Sequence, residues 1–363
     1  MKMKLGIILG TRPEIIKMSP VIRYCKKNNI DHFVLHTGQH YSYNMDKIFF
    51  EELELAPPKY NLNVGSNDFR KQIGIMIAGI NEILIKEKPD FVLTQGDTNT
   101  VLAGALAAKQ ANILVVHLEA GLRSHELDMI EETNRITTDH ISDVLFPPTK
   151  VSMEYLIEEK ISLDKIFLSG NTIVDAVLQN LDISEKKSSI LKEINLKKDE
   201  YFLITLHRPE SVDIRSKLNA LMQSLEKISE KYDYKLVLPL HPRTKKNLEK
   251  FNLKIPDKIR VMDPLSYLDF LQLENNARLI LTDSGGLQEE ASVLKVPCIT
   301  LREKTERPET VSLGCNVIAG VENSDILKYV EIMLKKERNW ETPYGDGKTS
   351  EFIIKKLGEI FNR

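Results

Sequence analysis

The sequence predicts two α/β domains, each a parallel sheet with crossover helices. Its 363 residues exceed one ordinary hydrophobic core, because a domain usually contains about 100 to 200 residues. Short apolar, β-branched runs alternate with amphipathic segments in both halves, as expected for strands that are buried on both faces of a parallel sheet. A polar, charge-rich stretch at residues 180–189 separates the two series.

The first half contains five predicted strands and at least one long amphipathic helix. The helix is predicted over Phe69–Lys86, where isoleucines and a leucine recur at spacings of three and four. This alternation predicts a wound α/β domain. The predicted strands are Leu5–Leu9, Phe33–His36, Phe91–Thr94, Leu114–His117 and Val144–Phe146.

The second half repeats the pattern after residues 180–189, which we interpret as a linker or an exposed helix. The absence of a short-period repeat disfavours solenoids and propellers. Because ligands of open α/β sheets bind at the carboxyl ends of the strands, the site is expected in the cleft between the two domains. The predicted strands are Tyr201–Leu206, Lys235–Leu240, Leu279–Thr282 and Cys298–Leu301.

Composition excludes several classes of partner. Lys and Arg total 50 against 52 Asp and Glu, a net charge of -2 that gives no general attraction to nucleic acid or an anionic membrane. No apolar run approaches the roughly 18 residues of a membrane span, and the N-terminus lacks the apolar region of a secretory signal. Three scattered cysteines, Cys25, Cys298 and Cys315, fit a reducing compartment. A cytoplasmic protein is expected.

The first strand runs into a turn with two basic residues. Arg12 and Pro13 belong to Gly-Thr-Arg-Pro-Glu, and Lys17 follows one turn later. Proline suits the first position of a helix, and a helix start carrying cations predicts an anion site. The alternative is that Gly10 makes the turn and both cations are surface charges. The dinucleotide pattern of glycines is missing, which disfavours NAD.

Carboxylates follow the next strands of the first half. Asp97 ends one strand in Gln-Gly-Asp-Thr, Glu119 ends another in His-Leu-Glu-Ala-Gly-Leu-Arg, and Glu131 and Arg135 belong to Glu-Glu-Thr-Asn-Arg. Burial and neighbouring carboxylates raise a carboxyl pKa toward the range of a general acid or base. The alternatives are a helix N-cap for Asp97 and surface ion pairs among Glu131, Glu132 and Arg135.

Two histidines follow strands of the second half. His207 comes after the first of these strands and His241 after the second. Neither has a second ligand at the spacing of a zinc motif, so phosphate contact or acid–base work is the better interpretation. We favour that function for His207 and a structural role for His241, although a structural role is open for both.

The strongest phosphate signal is Asp-Ser-Gly-Gly at the start of a predicted helix. Gly285 and Gly286 allow close approach of a ligand to backbone amides, and the helix dipole favours negative charge. The alternative, a serine N-cap, explains Ser284 but not two glycines. In the following turns Glu289 or Glu290 is suited to accept both ribose hydroxyls. Downstream, Arg307 is expected to contact the same phosphates.

Taken in order, these and neighbouring motifs resemble the non-hydrolysing UDP-N-acetylglucosamine 2-epimerases. The resemblance extends from Gly10 to Gly347 and lies in the joint order and spacing of the motifs, since each is short. The motifs are Gly-Thr-Arg-Pro-Glu, Gly-Asp-Thr, His-Leu-Glu-Ala-Gly-Leu-Arg, Glu-Glu-Thr-Asn-Arg, Gly-Asn-Thr, Asp-Ser-Gly-Gly-Leu-Gln-Glu-Glu and Thr-Glu-Arg-Pro-Glu.

The resemblance implies a GT-B fold of two Rossmann-like domains with parallel sheets that face an interdomain cleft. It implies an N-terminal domain of residues 1–168, a UDP-binding domain of residues 169–349, and a final helix at 350–363 that completes the first domain. It also implies a homodimer. No nicotinamide cofactor or metal is implied.

The implied reaction is the reversible conversion of UDP-N-acetylglucosamine to UDP-N-acetylmannosamine. UDP is eliminated to leave 2-acetamidoglucal, and it re-adds after a proton returns to the other face of carbon 2. The product would supply surface polysaccharide or glycan synthesis. A glycosyltransferase of the same fold, a hydrolysing relative and a nucleotide-sugar sensor are the alternatives.

The resemblance also assigns residues. Asp97, Glu119, Glu131 and His207 are the catalytic candidates. Our hypothesis is that Asp97 and Glu131 exchange protons at carbon 2, while Glu119 and His207 hold the sugar or the phosphates. The implied contacts with the UDP-sugar are Arg12, Lys17, Arg135, His207, Phe270, Ser284, Gly285, Gly286, Glu290 and Arg307.

Two segments differ from relatives in this family. Bacterial members commonly carry Gln-His-Arg-Glu-Met in the region linked to activation by a second substrate molecule, and this chain differs at Gln39–Met45. Activation of that kind is therefore not implied here. Leu265 replaces the glutamine of some relatives, although its backbone can still contact uracil, and Phe270 can line the base pocket.

Overall fold

A computed structural model describes residues 2–39, 43–65, 69–126 and 128–363, without the side chains of residues 43–46 and 69–70. The chain divides into two compact units. Unit 1 comprises Met1–Gln179 and Tyr344–Arg363, and unit 2 comprises Asn180–Pro343. The predicted allosteric difference at Gln39–Met45 lies largely outside the described residues.

The described residues of unit 1 form a six-stranded parallel sheet in the order β3-β2-β1-β4-β5-β6. This is the doubly wound order of a Rossmann fold. The five predicted strands are confirmed; the very short β3 was missed. The strands are β1 (Lys4–Leu9), β2 (Asp31–His36), β3 (Tyr60–Asn61), β4 (Phe91–Gln95), β5 (Leu114–Leu118) and β6 (Val144–Phe146).

Helices connect these strands and bury apolar side chains against the sheet. The predicted amphipathic helix is confirmed as α3, whose Ile80 and Leu84 are fully buried against strand residues such as Phe33 and Val92. The helices are α1 (Arg12–Lys27), α2 (Tyr43–Glu52), α3 (Phe69–Glu87), α4 (Asn99–Gln110), α5 (Ile130–Ile141), α6 (Lys150–Glu158) and α7 (Thr172–Lys187).

Unit 2 repeats the winding, with strand order β12-β11-β10-β7-β8-β9 and parallel pairing throughout. Two Rossmann-like units are therefore confirmed. The edge strands β9 and β12 were missed because both are short and partly exposed, which weakens the apolar signal. The strands are β7 (Tyr201–Thr205), β8 (Lys235–Pro239), β9 (Ile259–Met262), β10 (Leu279–Thr282), β11 (Cys298–Thr300) and β12 (Asn316–Ile318).

The polar stretch at 180–189 begins as the second half of α7, so the exposed-helix interpretation is the correct one. The chain passes from unit 1 to unit 2 within this helix, after Gln179. The predicted boundary comes before the helix, between residues 168 and 169. The remaining helices are α8 (Ile190–Glu193), α9 (Pro209–Val212), α10 (Arg215–Lys231), α11 (Pro242–Phe251), α12 (Tyr267–Asn276), α13 (Gly285–Val293), α14 (Pro308–Ser312), α15 (Asn323–Leu334) and α16 (Thr349–Phe361).

The last helix, α16, belongs to unit 1 and packs against α1. Asp175 of α7 accepts hydrogen bonds from the Thr349 and Ser350 amides at 3.2 and 2.8 Å, which satisfies two free N–H groups at the start of α16. Of the helices in the described ranges, none is both long enough and apolar enough to cross a bilayer.

Each sheet has one switch point, where the strand order reverses. In unit 1 it lies between β1 and β4, and in unit 2 between β7 and β10. Loops leave the carboxyl ends of such strands in opposite directions and open a crevice, which is where ligands of wound α/β sheets bind. The predicted site motifs follow these strands in both units.

Candidate active site

Glu14 joins the two loops at the switch point of unit 1. Its carboxylate accepts hydrogen bonds from the Gly10 and Thr11 amides at 2.6 and 2.8 Å, and from Thr98 Oγ1 at 2.5 Å. Thr98 begins α4, so Glu14 ties the start of α1 to the start of α4. The spacing of Thr11 and Glu14 fits a capping box, but the bond to Thr98 is a tertiary contact that this spacing does not predict.

The Glu14 contacts predict a pH-dependent stability. Burial raises the pKa of Glu14 to about 7, against the lowering effect of its hydrogen bonds. Because the folded chain binds this proton more tightly than the unfolded chain does, the protonated group stabilises the fold at low pH. That contribution is complete below the unfolded pKa of 4.5 and is lost as pH rises through 7. It amounts to about 3 kcal/mol at most.

We therefore expect Glu14→Gln to remove a decline in the free energy of unfolding between about pH 4.5 and 7. Urea unfolding of both proteins across this range measures the difference. Parallel pH profiles for the wild type and the variant would contradict the assignment.

Asp97 is presented by residues of α5. Arg135 Nη2 lies 2.5 Å from Asp97 Oδ2, and Asn134 Nδ2 donates to the Asp97 carbonyl at 2.9 Å. The Asp97 side chain is 31% exposed, so it is partly accessible although Arg135 holds one of its oxygens. Thr98, and not Asp97, is the N-cap of α4, so the capping alternative for Asp97 is wrong.

Two adjacent glutamates on the first turn of α5 lie in different surroundings. Glu131 is exposed, whereas Glu132 is buried and accepts the Ser124 and His125 amides, both at 2.9 Å. Arg135 Nη1 also donates to Glu132 at 2.8 Å. Burial alone would raise the pKa of Glu132, but these donors outweigh it and hold that pKa below its usual value. Glu132 therefore orients Arg135 through an ion pair, which the alternative for this motif predicts, but the pair is buried and not on the surface.

Glu119 is held by donors from three elements. Lys17 Nζ and Asn171 Nδ2 lie 2.5 and 2.6 Å from its Oε1, and Gln95 donates to its Oε2. Glu119 also adopts a φ of 63°, a conformation that non-glycine residues avoid unless the surroundings enforce it. The structure thus brings Lys17 and Glu119 together.

Arg12 lies at the first position of α1, beside the switch point. Its guanidinium carbon is 4.8 Å from the centre of the Phe49 ring, a cation–π contact that holds the side chain. Arg12 is half-buried and Lys17 is buried, so the interpretation of both as surface charges is wrong.

Asp283 is the corresponding link in unit 2. This fully buried residue accepts the His207 and Arg208 amides, both at 2.9 Å, and its Oδ1 lies 3.2 Å from His207 Nδ1. The loop after β7 is therefore tied to the loop after β10. His241 Nδ1 accepts the Arg243 amide at 3.1 Å and caps α11, which is the predicted structural role.

Two glycines begin α13, so no side chain covers the backbone of its first two residues. A Cβ at Gly286 would contact nothing within 4 Å, and one at Gly285 would meet only a Glu306 oxygen at 3.6 Å. Internal packing therefore does not require either glycine. Ser284 occupies the N-cap position without a side-chain capping bond. The N-cap position that the alternative predicts for Ser284 is therefore confirmed, although its side chain makes no capping hydrogen bond.

A cavity of about 200 Å³ lies beside these loops in unit 2. Its walls are mostly apolar, and they include Phe270, Leu265 and the ring of His207. The structure thus brings together His207 and Phe270, which were predicted from separate motifs. The full lining is Thr205, Leu206, His207, Pro239, His241, Pro264, Leu265, Phe270 and Leu287.

The two glutamates after the glycines have different partners. Glu290 accepts the Tyr267 hydroxyl at 3.0 Å, and Glu289 pairs with Arg307 Nε. Burial raises the pKa of Tyr267 well above its usual value, so this hydroxyl stays a donor. Arg307 is therefore oriented by the fully buried Glu289, a partner that the sequence analysis did not identify.

Comparisons with known proteins point in one direction. A family model described as UDP-N-acetylglucosamine 2-epimerase matches residues 23–358. The UDP-N-acetylglucosamine 2-epimerase of Methanocaldococcus jannaschii is 56% identical over 361 residues, 98% of this chain and 99% of that protein.

Solved structures agree with this similarity. A crystal structure of the Methanocaldococcus jannaschii enzyme in complex with UDP-GlcNAc and UDP gives a TM-score of 0.90, covering 98% of this chain and 100% of that chain. A Neisseria meningitidis UDP-GlcNAc 2-epimerase bound to UDP-GlcNAc is 34% identical, with a TM-score of 0.89 over 98% of this chain and all of that one. The similarity agrees with the predicted GT-B class.

Proposed function

The chain belongs to the UDP-N-acetylglucosamine 2-epimerase family, and from this premise we propose that it interconverts UDP-N-acetylglucosamine and UDP-N-acetylmannosamine. A base removes the proton on carbon 2 while the bond from carbon 1 to the diphosphate oxygen breaks, and UDP leaves with the electron pair. A proton then adds to the opposite face of carbon 2 of the 2-acetamidoglucal. UDP attacks carbon 1 and restores the glycosyl phosphate.

One observation carries the proposal: unit 2 combines a bare diglycine helix start with an apolar cavity at one switch point. The cavity beside Phe270 suits the uracil ring, and the amides of Gly285 and Gly286 suit the diphosphate. Glu290 is the proposed acceptor for the ribose hydroxyls. His207 and Ser284 complete this UDP site.

Unit 1 supplies the proposed acid–base groups. Asp97 has an accessible carboxylate that Arg135 orients, and Glu131 is exposed on the first turn of α5. We propose that these two carboxylates exchange protons at carbon 2. Glu119 accepts hydrogen bonds from three donors, so it is better suited to be a fixed anion that orients Lys17 than to carry protons. Arg12 and Lys17 are proposed to stabilise charge on the diphosphate.

Arg307→Ala is expected to weaken UDP binding by about 1.5 to 3 kcal/mol, roughly tenfold to 150-fold in Kd. The variant loses a charged hydrogen bond to phosphate. It also leaves Glu289 buried without its arginine partner, so a stability loss must be separated from a binding loss. Calorimetric UDP titration of Arg307→Ala and of Glu289→Gln/Arg307→Ala makes this separation. Wild-type affinity in both would refute the phosphate contact.

The test of the reaction is incubation with UDP-N-acetylglucosamine in deuterated water, without added metal or NAD. Carbon 2 is followed by NMR. Accumulation of UDP-N-acetylmannosamine with deuterium at carbon 2 is the expected result. Free N-acetylmannosamine with UDP would show a hydrolysing enzyme instead, and transfer of the sugar to an acceptor would show a glycosyltransferase. Binding without turnover would show a sensor.

Two further properties are proposed with the function. A homodimer is the assembly that the family resemblance implies, and light scattering coupled to size-exclusion chromatography measures it. The cytoplasm is the proposed compartment, since the three cysteines are buried and free of disulfides, as is usual where thiols are kept reduced.

A further inference from the structure

We infer that Asn171 is a positioning residue for the reaction, because its side-chain amide fixes the Glu119 carboxylate beside the turn that carries Asp97. The inference rests on the proposed function and adds a residue to it. Asn171 belongs to the Gly-Asn-Thr motif, to which the proposed chemistry gives no role. It precedes α7 and is only 1% exposed.

The orientation of the Asn171 amide follows from its neighbours. Its Oδ1 accepts the Ile173 amide at 3.0 Å, so Nδ2 must be the atom directed at Glu119 Oε1, 2.6 Å away. The Asn171 backbone N–H donates to the Tyr344 carbonyl at 2.8 Å. These two hydrogen bonds with backbone groups fix Asn171, so its side-chain NH₂ group is directed at Glu119.

Two further groups that contact Glu119 are also donors. Lys17 on α1 shares Oε1, and Gln95 at the end of β4 donates to Oε2. Because an ionised carboxylate is an acceptor only, donors from three elements suit the charged form of Glu119. Asn171 is the uncharged donor to Glu119 Oε1, the oxygen that also pairs with Lys17. Loss of the Asn171 donor therefore allows Oε1 and the Lys17 ammonium to move together.

Glu119 lies next to the turn that presents Asp97. Its Oε2 is 3.6 Å from the place that a Cβ at Gly96 would take, and Gly96 has a φ of 89°. The Gly96 amide donates to the Leu118 carbonyl at 3.1 Å, directly before Glu119 in the chain. The Glu119 carboxylate therefore borders the turn that leads to Asp97, so its position shapes the space beside that turn.

Asn171→Asp tests the inference with an isosteric change. Near pH 8 the new carboxylate faces Glu119 and cannot donate, so kcat is expected to fall about tenfold or more, with a smaller change in KM. At lower pH the two carboxyl groups share a proton, and the resulting O–H can donate to Glu119 Oε1 in place of the amide. The ratio of variant to wild-type kcat is therefore expected to rise as pH falls.

Asn171→Ala and Asn247→Asp are the controls. Asn171→Ala has no donor at any pH, so its ratio is expected to stay low throughout. Asn247 on α11 also donates to a carboxylate, Asp213 Oδ1 at 2.8 Å, and neither residue lines the cavity of unit 2. Asn247→Asp also replaces an amide that donates to a carboxylate. We expect this variant to keep the wild-type kcat at every pH.

The outcomes separate the inference from the proposed function. A wild type without epimerisation overturns both. Two outcomes with an epimerising wild type overturn the positioning role alone. In the first, Asn171→Asp is as active as Asn247→Asp. In the second, the kcat of Asn171→Asp is lowered by the same factor at all pH values. If Asn171→Asp does not fold, Gln95→Glu replaces the donor on the other oxygen of Glu119. It is expected to show the same recovery at low pH, and a flat ratio for it also overturns the role.

Discussion

Asp97→Asn is expected to lower kcat for epimerisation by about 10²-fold to 10⁴-fold, the usual contribution of a general acid or base. The amide oxygen of asparagine can still accept the Arg135 hydrogen bond, and the Asp97 carbonyl keeps its bond from Asn134. The variant therefore preserves the turn while it removes the ionisable oxygen. Deuterium incorporation at carbon 2 should fall together with product formation.

The matched control is Asp143→Asn, which also removes one carboxylate from an ion pair in unit 1. Asp143 pairs with Lys109 at 2.7 Å and precedes β6, at the amino end of a strand and not at the carboxyl end where the site lies. Its kcat should stay near that of the wild type. Full deuterium exchange by Asp97→Asn would remove Asp97 from the proton transfer.

Gly286→Ala is expected to separate ligand binding from folding. A Cβ at Gly286 has no neighbour within 4 Å, so the fold tolerates it, and a helical alanine adds about 0.5 to 1 kcal/mol of stability over glycine. A diphosphate against the same amides would meet the new methyl group. Overpacking of that kind costs about 1 to 3 kcal/mol, or roughly fivefold to 150-fold in Kd.

Gly358→Ala on α16 is the control, since a Cβ there also meets nothing within 4 Å and the residue is helical. Both variants should gain stability in thermal unfolding. Only Gly286→Ala should bind UDP more weakly in calorimetry. Equal UDP affinity in the two variants would mean that the diphosphate does not lie on this helix start.

Predicted strands and observed strands agree where the local signal is strong. Central strands such as β1 and β10 are buried on both faces and appear in the sequence as unbroken apolar runs. Edge strands need fewer apolar residues, because one side faces solvent or a loop. For that reason β3, β9 and β12 were missed, and hydrogen bonding to a neighbouring strand is what defines them.

For the predicted site residues, the sequence does not show which of them lie together or which are buried. His207 and Phe270 are 63 residues apart in the chain, yet both line one cavity. Glu131 and Glu132 are adjacent and chemically identical, so only burial distinguishes the exposed candidate from the buried partner of Arg135. A motif identifies residue types at strand ends, but it cannot tell which of two neighbouring side chains turns inward.

The sequence by itself determined the two wound α/β units and the strand ends that carry the candidate site residues. Apolar periodicity and turn residues are local properties, so each can be read within a short window. Only the tertiary structure decided which side chains position these candidates: Glu14 joins two loops, Glu132 orients Arg135, Asp283 anchors His207, and Asn171 reaches Glu119 across 52 positions. Glu132 and Arg135 are neighbours on α5, but the other partners are distant in the chain and meet because parallel strands bring their carboxyl ends to one edge of a sheet.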